Sequence, residues 1–479
     1  MSGAIGSILS NSGALTALNG ISAAQQSNDS YEQQLSSGQK VNSPSDNPAG
    51  FITAQGFTSQ INGVSQASSN ASEGISLLQT AQGAVQQQLN VAQKLNSIAV
   101  QAANGTQTAE EAQSLQGVVS QLTGQVSTIA NQTQFNNISL LDGTFSGVQF
   151  QVGANEGQTL SLSIGSTSAD TIGMNTLDAS TGASAKFSAG SSADVTASGA
   201  GFGAGTLAIQ GANGKANVTV AATDSAATIA ASINQHTNQT GVTAQARTEL
   251  DLTATGSSFN FTLGNGNAAS ATNTVNISAT SKSGLVDAIN GHTAKTGITA
   301  KQDTAGNVVL TQGDGKNISI TGITSGTLTS VGNSTAASSG GTDHLVAQGK
   351  ISFQSDAAFH VGSASAVGLK TQSNLEKLSS IDVSTTAGAN KAINVVKYAI
   401  QGLNNLGGQL GATQQRMQAT LNNLTTTQSN LQNGLSAVQD ANIPEVTQKL
   451  TQSQIQAQAG VSALKSSSRL QQSYLSLLP

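Results

Sequence analysis

The sequence predicts a multidomain α+β protein, in which paired N- and C-terminal segments form a long α-helical coiled-coil or bundle core and the middle region is mainly β. Three observations predict this fold class. An apolar heptad repeat runs through the C-terminal part, similar helical periodicity occupies the N-terminal part, and strand-like alternation fills the residues between them. Because apolar residues spaced three and four apart lie on one face of a helix, each helical segment needs a partner.

The heptad pattern is clearest between Ala392 and Gln439, with Leu406, Leu421 and Leu435 at the half-steps. The residues that recur every seven positions are Leu403, Leu410, Met417, Leu424, Leu431 and Val438. Glycines weaken this helix as an isolated segment, since each costs about 1 kcal/mol relative to alanine. The pattern therefore predicts a coiled-coil seam that pairs with helices from the other end of the chain.

Two helices near the N-terminus are predicted to supply that partner. The first spans about Phe51 to Ala103, and a second follows Thr108 and Glu111, which have the spacing of a capping box. The seam of the first helix comprises Phe57, Ile61, Val64, Ala71, Ile75, Leu78, Val85, Leu89, Ala92 and Ala99. Pro44 and Pro48 place a loop before it, because residues that precede proline avoid the helical conformation.

The two chain ends are predicted to be amphipathic helices, over residues 2–35 and 444–478. Their candidate assembly residues are Ile5, Ile8, Leu15, Leu18, Ile21, Val461, Leu464, Leu475 and Leu478. Because short helices rich in Ser, Asn and Gly are marginal in water, we expect both ends to fold only when they dock. The alternative is that they are frayed termini, the usual behaviour of chain ends.

The middle region changes period at Asn136, after which apolar and polar residues alternate as in strands. A repeat is visible there, since the segment Ile233–Ala244 recurs as Ile289–Ala300. We interpret it as two duplicated strand–helix–strand units, near residues 205–255 and 258–322. His236 and His292 occupy equivalent positions, which favours a shared turn or packing role over a metal site.

The composition excludes several classes of protein. The chain of 479 residues is 37% hydrophobic but only 3% aromatic and 9% charged, with a net charge of −5. A weakly acidic chain is unsuited to nucleic acid, and no apolar run approaches the ~20 residues that span a bilayer. The chain has no cysteine, and no catalytic motif stands in a suitable setting, so neither an enzyme nor a cofactor is expected.

Several motifs resemble those of bacterial flagellin. The N-terminal ones are Leu35-Ser-Ser-Gly-Gln-Lys-Val-Asn-Ser-Pro-Ser-Asp-Asn-Pro-Ala-Gly50, Glu73-Gly-Ile-Ser-Leu-Leu-Gln-Thr-Ala-Gln-Gly83 and Asn131-Gln-Thr-Gln-Phe-Asn136. The C-terminal ones are Leu410-Gly-Ala-Thr-Gln-Gln-Arg-Met417 and Leu475-Ser-Leu-Leu478. The resemblance covers about residues 1–145 and 375–479, and the repeated Ile-Asn units resemble the hook IN motif.

The resemblance implies a self-assembling subunit of the flagellar filament, a secreted helical polymer used for motility. Residues 1–40 and 441–479 would be inner-tube helices, 41–145 and 376–440 the two halves of a helical bundle domain, and 146–375 a mainly β outer variable region. The implied partners are other copies of the chain, the flagellar export apparatus with its chaperone, and hook-associated and cap proteins, without nucleic acid or membrane insertion. The basic start of a secretory signal is missing before Asp29, so export without a cleaved signal peptide is expected.

The stretch that resembles the site of the animal flagellin receptor departs from the family pattern. Lys94 stands at the usual arginine, Ile98 at the leucine and Val118 at a glutamate on the next helix. Lysine lacks the bidentate fork of arginine, and Val118 removes a charge. We therefore expect weakened recognition.

Two other functions are left open by the sequence. A hook–filament junction protein shares the terminal helices and the Ile-Asn motif, although the Asn131–Asn136 motif and the Leu475–Leu478 ending favour flagellin. A secreted adhesin would bind glycan through the middle region. Its candidate stacking residues are Phe187, Phe202, Phe259 and Phe261, which make a weak platform.

Overall fold

The structure is a computed structural model that describes residues 12–104, 106–178, 186–189, 205–221, 224–266, 272–303, 305–330, 336–337, 343–363 and 372–475. The chain divides into two compact units. The first comprises Met1–Gln79, Gly147–Ser163 and Gly411–Pro479, and the second comprises Thr80–Ser146 and Ile164–Leu410. The predicted α+β fold class is confirmed, with long terminal helices and a strand-rich middle.

The long helices belong to the two ends of the chain, as their periodicity predicts. They are α1 (Ser12–Ser37), α2 (Pro48–Ala102), α3 (Ala109–Gln132), α8 (Thr386–Gln439) and α9 (Ile443–Leu475). Four short helices lie in the described part of the middle region: α4 (Ala226–Asn234), α5 (Thr237–Thr240), α6 (Lys282–Gly291) and α7 (Thr293–Thr296). None of the described helices is long and apolar enough to cross a membrane.

Local sequence signals set the starts of α2 and α3. The Thr108 capping box is present, with the Thr108 side chain accepting from the backbone N–H of Glu111 and the Glu111 carboxylate accepting from that of Thr108. Assigning Pro48 to the preceding loop was wrong, because Pro48 is the first residue of α2. Proline suits this position, since the first-turn N–H that it lacks has no partner within the helix. Asn47 caps the same end by accepting from Gly50 N at 2.9 Å.

The described residues form eighteen strands. They are β1 (Gln134–Phe135), β2 (Ile138–Ser139), β3 (Val148–Gln151), β4 (Thr159–Leu162), β5 (Gly173–Asp178), β6 (Lys186–Ala189), β7 (Gly205–Gln210), β8 (Lys215–Val220), β9 (Thr243–Asn265), β10 (Thr272–Ala279), β11 (Ile298–Gln302), β12 (Val308–Gln312), β13 (Ile318–Ser330), β14 (Ala336–Ala337), β15 (Asp343–Ala347), β16 (Lys350–Ser355), β17 (His360–Ser363) and β18 (Asn374–Lys377). A short 3-10 turn at Leu378–Ser380 leads back to the helical bundle.

The largest sheet is organised around β9, which pairs antiparallel with β16, β12, β13 and β10 along its length. The order along its main path is β18-β5-β16-β9-β13-β15-β6, and β17-β7-β8 form a separate sheet of three strands. Two hairpins, β1-β2 and β3-β4, complete the described sheets. In β1-β2 the two loop residues, Asn136 and Asn137, have φ values of 49° and 64°, which asparagine tolerates better than most residues.

The repeated motif has the same local structure in both copies. Asn234 Nδ2 donates to Ala244 O at 2.9 Å and its Oδ1 accepts from Ala244 N at 2.8 Å. Asn290 makes the same pair of bonds with Ala300, at 2.9 and 2.8 Å. Each asparagine thus ties the end of a helix to the strand that follows it.

The other motif positions are equivalent as well. The carbonyls of His236 and His292 accept from the hydroxyls of Thr240 and Thr296 at 3.0 and 3.1 Å. The glycine that follows each threonine has φ of 75° or 70°, a left-handed turn that glycine adopts without steric cost. Each described unit is a β-hairpin followed by two short helices and a strand. The predicted strand–helix–strand pattern therefore lacked one strand of the hairpin.

In the second unit, one contact between the sheet and the bundle involves Tyr398. Tyr398 on α8 is buried, and its hydroxyl shares a hydrogen bond of 2.5 Å with the hydroxyl of Thr243 on β9. Burial raises the pKa of the Tyr398 phenol. On the bundle side, the Gln116 side chain donates to Ile381 O at 3.1 Å and accepts from Val383 N at 2.7 Å, which ties α3 to the segment before α8.

Candidate assembly surface

The turn between α1 and α2 is tied to the turn between α8 and α9. Lys40 N donates to Gln439 O at 2.7 Å, and Ala441 N donates to Gly38 O at 2.8 Å. Gly38 can reverse the chain after α1 because its φ of 71° carries no steric cost for glycine. These bonds fix the point from which the two terminal helices leave the bundle.

The same turn is stabilised by a carboxylate. Asp46 Oδ2 accepts from Asn42 N at 2.9 Å and from Ser43 N at 2.8 Å. Hydrogen bonding lowers the pKa of Asp46, with the Ser43 N–H as the largest cause, because it favours the ionised carboxylate. Asn42, Ser43 and Asp46 of the Leu35–Gly50 motif therefore stabilise this turn.

Helices α1 and α9 pack against each other through small residues. Ser453 is buried and donates its hydroxyl to Ala24 O at 2.9 Å. A methyl group added at Gly460 would lie 2.7 Å from Cγ1 of Ile21, so the glycine permits a close approach of the helices. This contact buries little apolar surface, since Ala24 and Val446 are the only buried apolar side chains among those that the structure describes in the two helices.

Larger apolar side chains of the same helices remain in water. Leu15 is 64% exposed and Leu18 is 51% exposed, whereas Ile21 is half-buried against Gly460. On α9, Val461 is 41% exposed and Leu464 is half-buried. Exposed apolar patches mark interaction sites, and Leu15 and Leu18, three residues apart, lie on one side of α1, so this helix pair presents a candidate interaction surface.

The remaining predicted assembly residues lie outside the described residues, namely Ile5, Ile8 and Leu478, and Leu475 lies in α9 without a described side chain. Two further exposed residues, Ile455 at 61% and Leu470 at 56%, belong to the surface but were not selected from the sequence. The apolar pattern of α9 marks them, although periodicity alone does not separate the residues that face α1 from those that face water. We call the exposed side chains of Leu15, Leu18, Ile455, Val461 and Leu470 the terminal apolar surface.

The predicted bundle seam lies inside the molecule in both units. Eleven of its residues are buried: Val64, Ala71, Leu78, Val85, Leu89, Ala92, Ala99, Leu403, Leu410, Met417 and Leu424. Five are half-buried: Phe57, Ile61, Ile75, Leu431 and Val438. In the first unit a methyl group at Gly74 would lie 2.5 Å from Cε of Met417, so glycine and methionine are matched in size across the seam.

Three other groups of candidate residues have defined positions. Lys94 and Val118 are exposed and Ile98 is half-buried. Phe259 and Phe261 are 1% and 2% exposed, so their assignment as candidate glycan-stacking residues was wrong. The alternation of β9 turns both rings into the core, while Phe202 and the Phe187 side chain lie outside the described residues. Within the described residues, no three His, Cys, Asp or Glu side chains are grouped to hold a metal ion.

Comparison with family models gives three matches. Residues 8–146 match the bacterial flagellin N-terminal helical region, residues 393–478 match the bacterial flagellin C-terminal helical region, and residues 206–256 match the flagellin hook IN motif. The last match coincides with the first unit of the structural repeat.

Known proteins resemble the chain over most of its length. It is 30% identical to the B-type flagellin of Pseudomonas aeruginosa over 470 residues, covering 93% of this chain and 94% of that one. It is 28% identical to a flagellin of Salmonella choleraesuis over 518 residues, covering 98% and 99% of the two chains. The solved structure of FliC from Burkholderia pseudomallei shares 21% identity at a TM-score of 0.30, covering 72% of this chain and 99% of that one.

Proposed function

The chain belongs to the bacterial flagellin family, and we propose that it is the self-assembling structural subunit of a flagellar filament used for motility. One observation supports the assembly step most directly. The terminal apolar surface, which includes Leu15 at 64% and Ile455 at 61% exposure, lies on a helix pair that buries little of its own apolar area. Contact with other copies of the chain would bury this surface, and each Å² of apolar area buried would stabilise the polymer by about 25 cal/mol.

The proposal assigns a place to each part of the chain. Residues 1–40 and 441–479 would form the inner tube, and residues 41–145 with 376–440 would form the bundle around it. Residues 146–375 would project outward as the variable region. Seam residues such as Leu78, Leu410 and Met417 are buried within one copy, so the proposal needs no second copy to cover them.

The partners follow from this assignment. Other copies of the chain are the main partner, and hook-associated and cap proteins would contact the two ends of the filament. The subunit is extracellular once assembled. We propose that it reaches that location unfolded, through the flagellar export apparatus and with an export chaperone, and that no enzymatic activity contributes to its function.

Polymerisation of the purified full-length chain tests the proposal. Fragments of sheared filament serve as seeds, and electron microscopy records whether helical filaments grow. We expect elongation that consumes the monomer down to a defined critical concentration. A chain that stays monomeric under every condition, with or without seeds, would contradict the proposal.

A genetic experiment separates a filament subunit from a junction protein. The gene is deleted in its own host, and cells and culture medium are examined for filaments. Loss of a filament subunit removes filament mass from both, whereas loss of a junction protein releases intact filaments into the medium. Restoration by the full-length gene is the control.

A further inference from the structure

The terminal helices carry few charges, and four of these are exposed without a partner in the described ion pairs. Asp29 and Glu32 are exposed on α1, and Lys465 and Arg469 are exposed on α9. None of the four appears in an ion pair among the described residues. Their spacings of three and four residues place each like-charged pair on one side of its helix.

The two pairs lie at opposite ends of the α1–α9 pair. The helices are antiparallel, because Gln39 bridges Asp440, Ala24 O bonds to Ser453 and Ile21 packs against Gly460. Asp29 and Glu32 therefore lie near the level of Lys449, which is already paired with Glu445 at 2.7 Å. From there to Lys465 and Arg469 is about 25–30 Å along the axis, at a rise of 1.5 Å per residue.

Within one copy the cationic pair has no acidic side chain facing it from α1. The antiparallel register places Lys465 opposite the first described turn of α1, and no charged side chain precedes Asp29 in the sequence. The acidic pair is too far away to reach it, since ion pairs need contact within about 4 Å. Each copy thus presents an acidic and a basic site that cannot neutralise each other.

We propose that Lys465 and Arg469 of one copy form ion pairs with Asp29 and Glu32 of a neighbouring copy, displaced along the helix axis by about 25–30 Å. This rests on the proposed function, because it needs parallel copies in a polymer. One displacement, repeated from copy to copy, satisfies every pair except those at the ends, as a head-to-tail contact does.

The ion pairs set the register of the copies. Burial of the terminal apolar surface is non-directional, so leucine and isoleucine contacts alone tolerate sliding along the axis. Opposite charges meet at one displacement, and like charges meet at others, which makes wrong registers unfavourable. The neighbouring Leu18 and Val461 side chains would exclude water in the contact and limit screening by salt.

Charge reversal tests the proposal by seeded polymerisation at low ionic strength. The variants are Lys465→Glu with Arg469→Glu, Asp29→Lys with Glu32→Lys, and all four substitutions together. We expect the critical concentration to rise about tenfold for each two-residue variant, and to return to within twofold of the unmodified chain for the four-residue variant. Circular dichroism of each monomer checks that the helices form.

A matched control changes the same net charge elsewhere. Lys215→Glu with Lys301→Glu reverses two exposed lysines of β8 and β11, and its critical concentration should not change. The proposal is overturned if the four-residue variant polymerises no better than the two-residue ones, or if the control is equally impaired. Failure of the unmodified chain to polymerise would overturn both this proposal and the proposed function.

Crosslinking gives a second readout that does not depend on stability. The chain has no cysteine, so Asp29→Cys with Lys465→Cys introduces two unique thiols. A short bismaleimide should link different copies in filaments, giving a ladder of oligomers on denaturing gels, and should leave monomers unlinked. Asp29→Cys with Gln458→Cys, at another level of α9, is the control. Equal ladders from both variants, or none from the first, contradict the proposed register.

Discussion

Shortening Leu15 and Leu18 to alanine should weaken filament growth while leaving the folded monomer unchanged. Fully burying a leucine contributes about 1.5–3 kcal/mol. Since Leu15 is 64% exposed and Leu18 is 51% exposed, the part still to be buried contributes about 2–3 kcal/mol for the two residues. Alanine keeps a fraction of it, so the double variant should lose about 2 kcal/mol per added subunit, or about thirtyfold in critical concentration.

Two measurements check this expectation. Sedimentation of seeded filaments gives the critical concentration, and thermal unfolding of the monomer gives its stability, which exposed substitutions change by less than about 0.5 kcal/mol. Leu410→Ala is the matched control, because Leu410 is 1% exposed and should cost about 2–5 kcal/mol in the monomer. The reasoning is refuted if the Leu15/Leu18 variant grows at the original critical concentration, or destabilises the monomer as much as Leu410→Ala does.

Three further outcomes are expected. Asn290→Ala should destabilise the β-rich region by about 1–2 kcal/mol in thermal unfolding, because both bonds to the Ala300 backbone are lost; an unchanged midpoint would contradict this. Asp46 has a lowered pKa when folded, so its stabilisation is present above the ordinary pKa of 3.8 and is lost as the pH falls through the folded value. At pH 6 the Asp46→Asn variant should therefore unfold at a lower temperature than the unmodified chain. This difference in unfolding temperature should disappear in stronger acid and persist in alkali. Lys94→Arg with Val118→Glu should raise potency in a flagellin-receptor reporter assay, where equal potency before and after the change would count against the expected weakness.

The helices were predictable because their signals are local. Periodicity at three and four residues locates α1, α2, α3, α8 and α9, and the Thr108–Glu111 box fixes the start of α3 to the residue. Pro48 shows how such a rule fails. Proline restricts the residue before it, here Asn47, and is itself well suited to begin a helix.

The middle region was less predictable because its contacts are between distant strands. Alternation in β9 was visible, but a period of two does not say which face is covered, so Phe259 and Phe261 were taken for surface residues. The structural role of Asn234 and Asn290 was also not predictable, since each forms hydrogen bonds with a strand residue ten positions later. The repeat itself was the signal, because two copies of one motif preserve the same turn.

The residues of the terminal apolar surface were difficult to predict from the sequence for a different reason. In α9 the apolar residues that face α1 and those that face water follow the same helical period, and small residues occupy much of the inner face. Gly460 and Ser453 mark that face in the structure, yet neither is apolar enough to reveal it in the sequence. For this reason Ile455 and Leu470 were passed over and Leu464 was included.

The length of β9 constrains how the exterior of this molecule can change over evolutionary time. Its first part completes one repeat unit and its last part begins the next, so excising either unit would sever a strand that the other requires. Gain or loss of a whole unit would leave unpaired strand edges at which copies can aggregate. New epitopes should instead accumulate as insertions at hairpin tips, such as the connection between β7 and β8 at residues 211–214, where added length costs little.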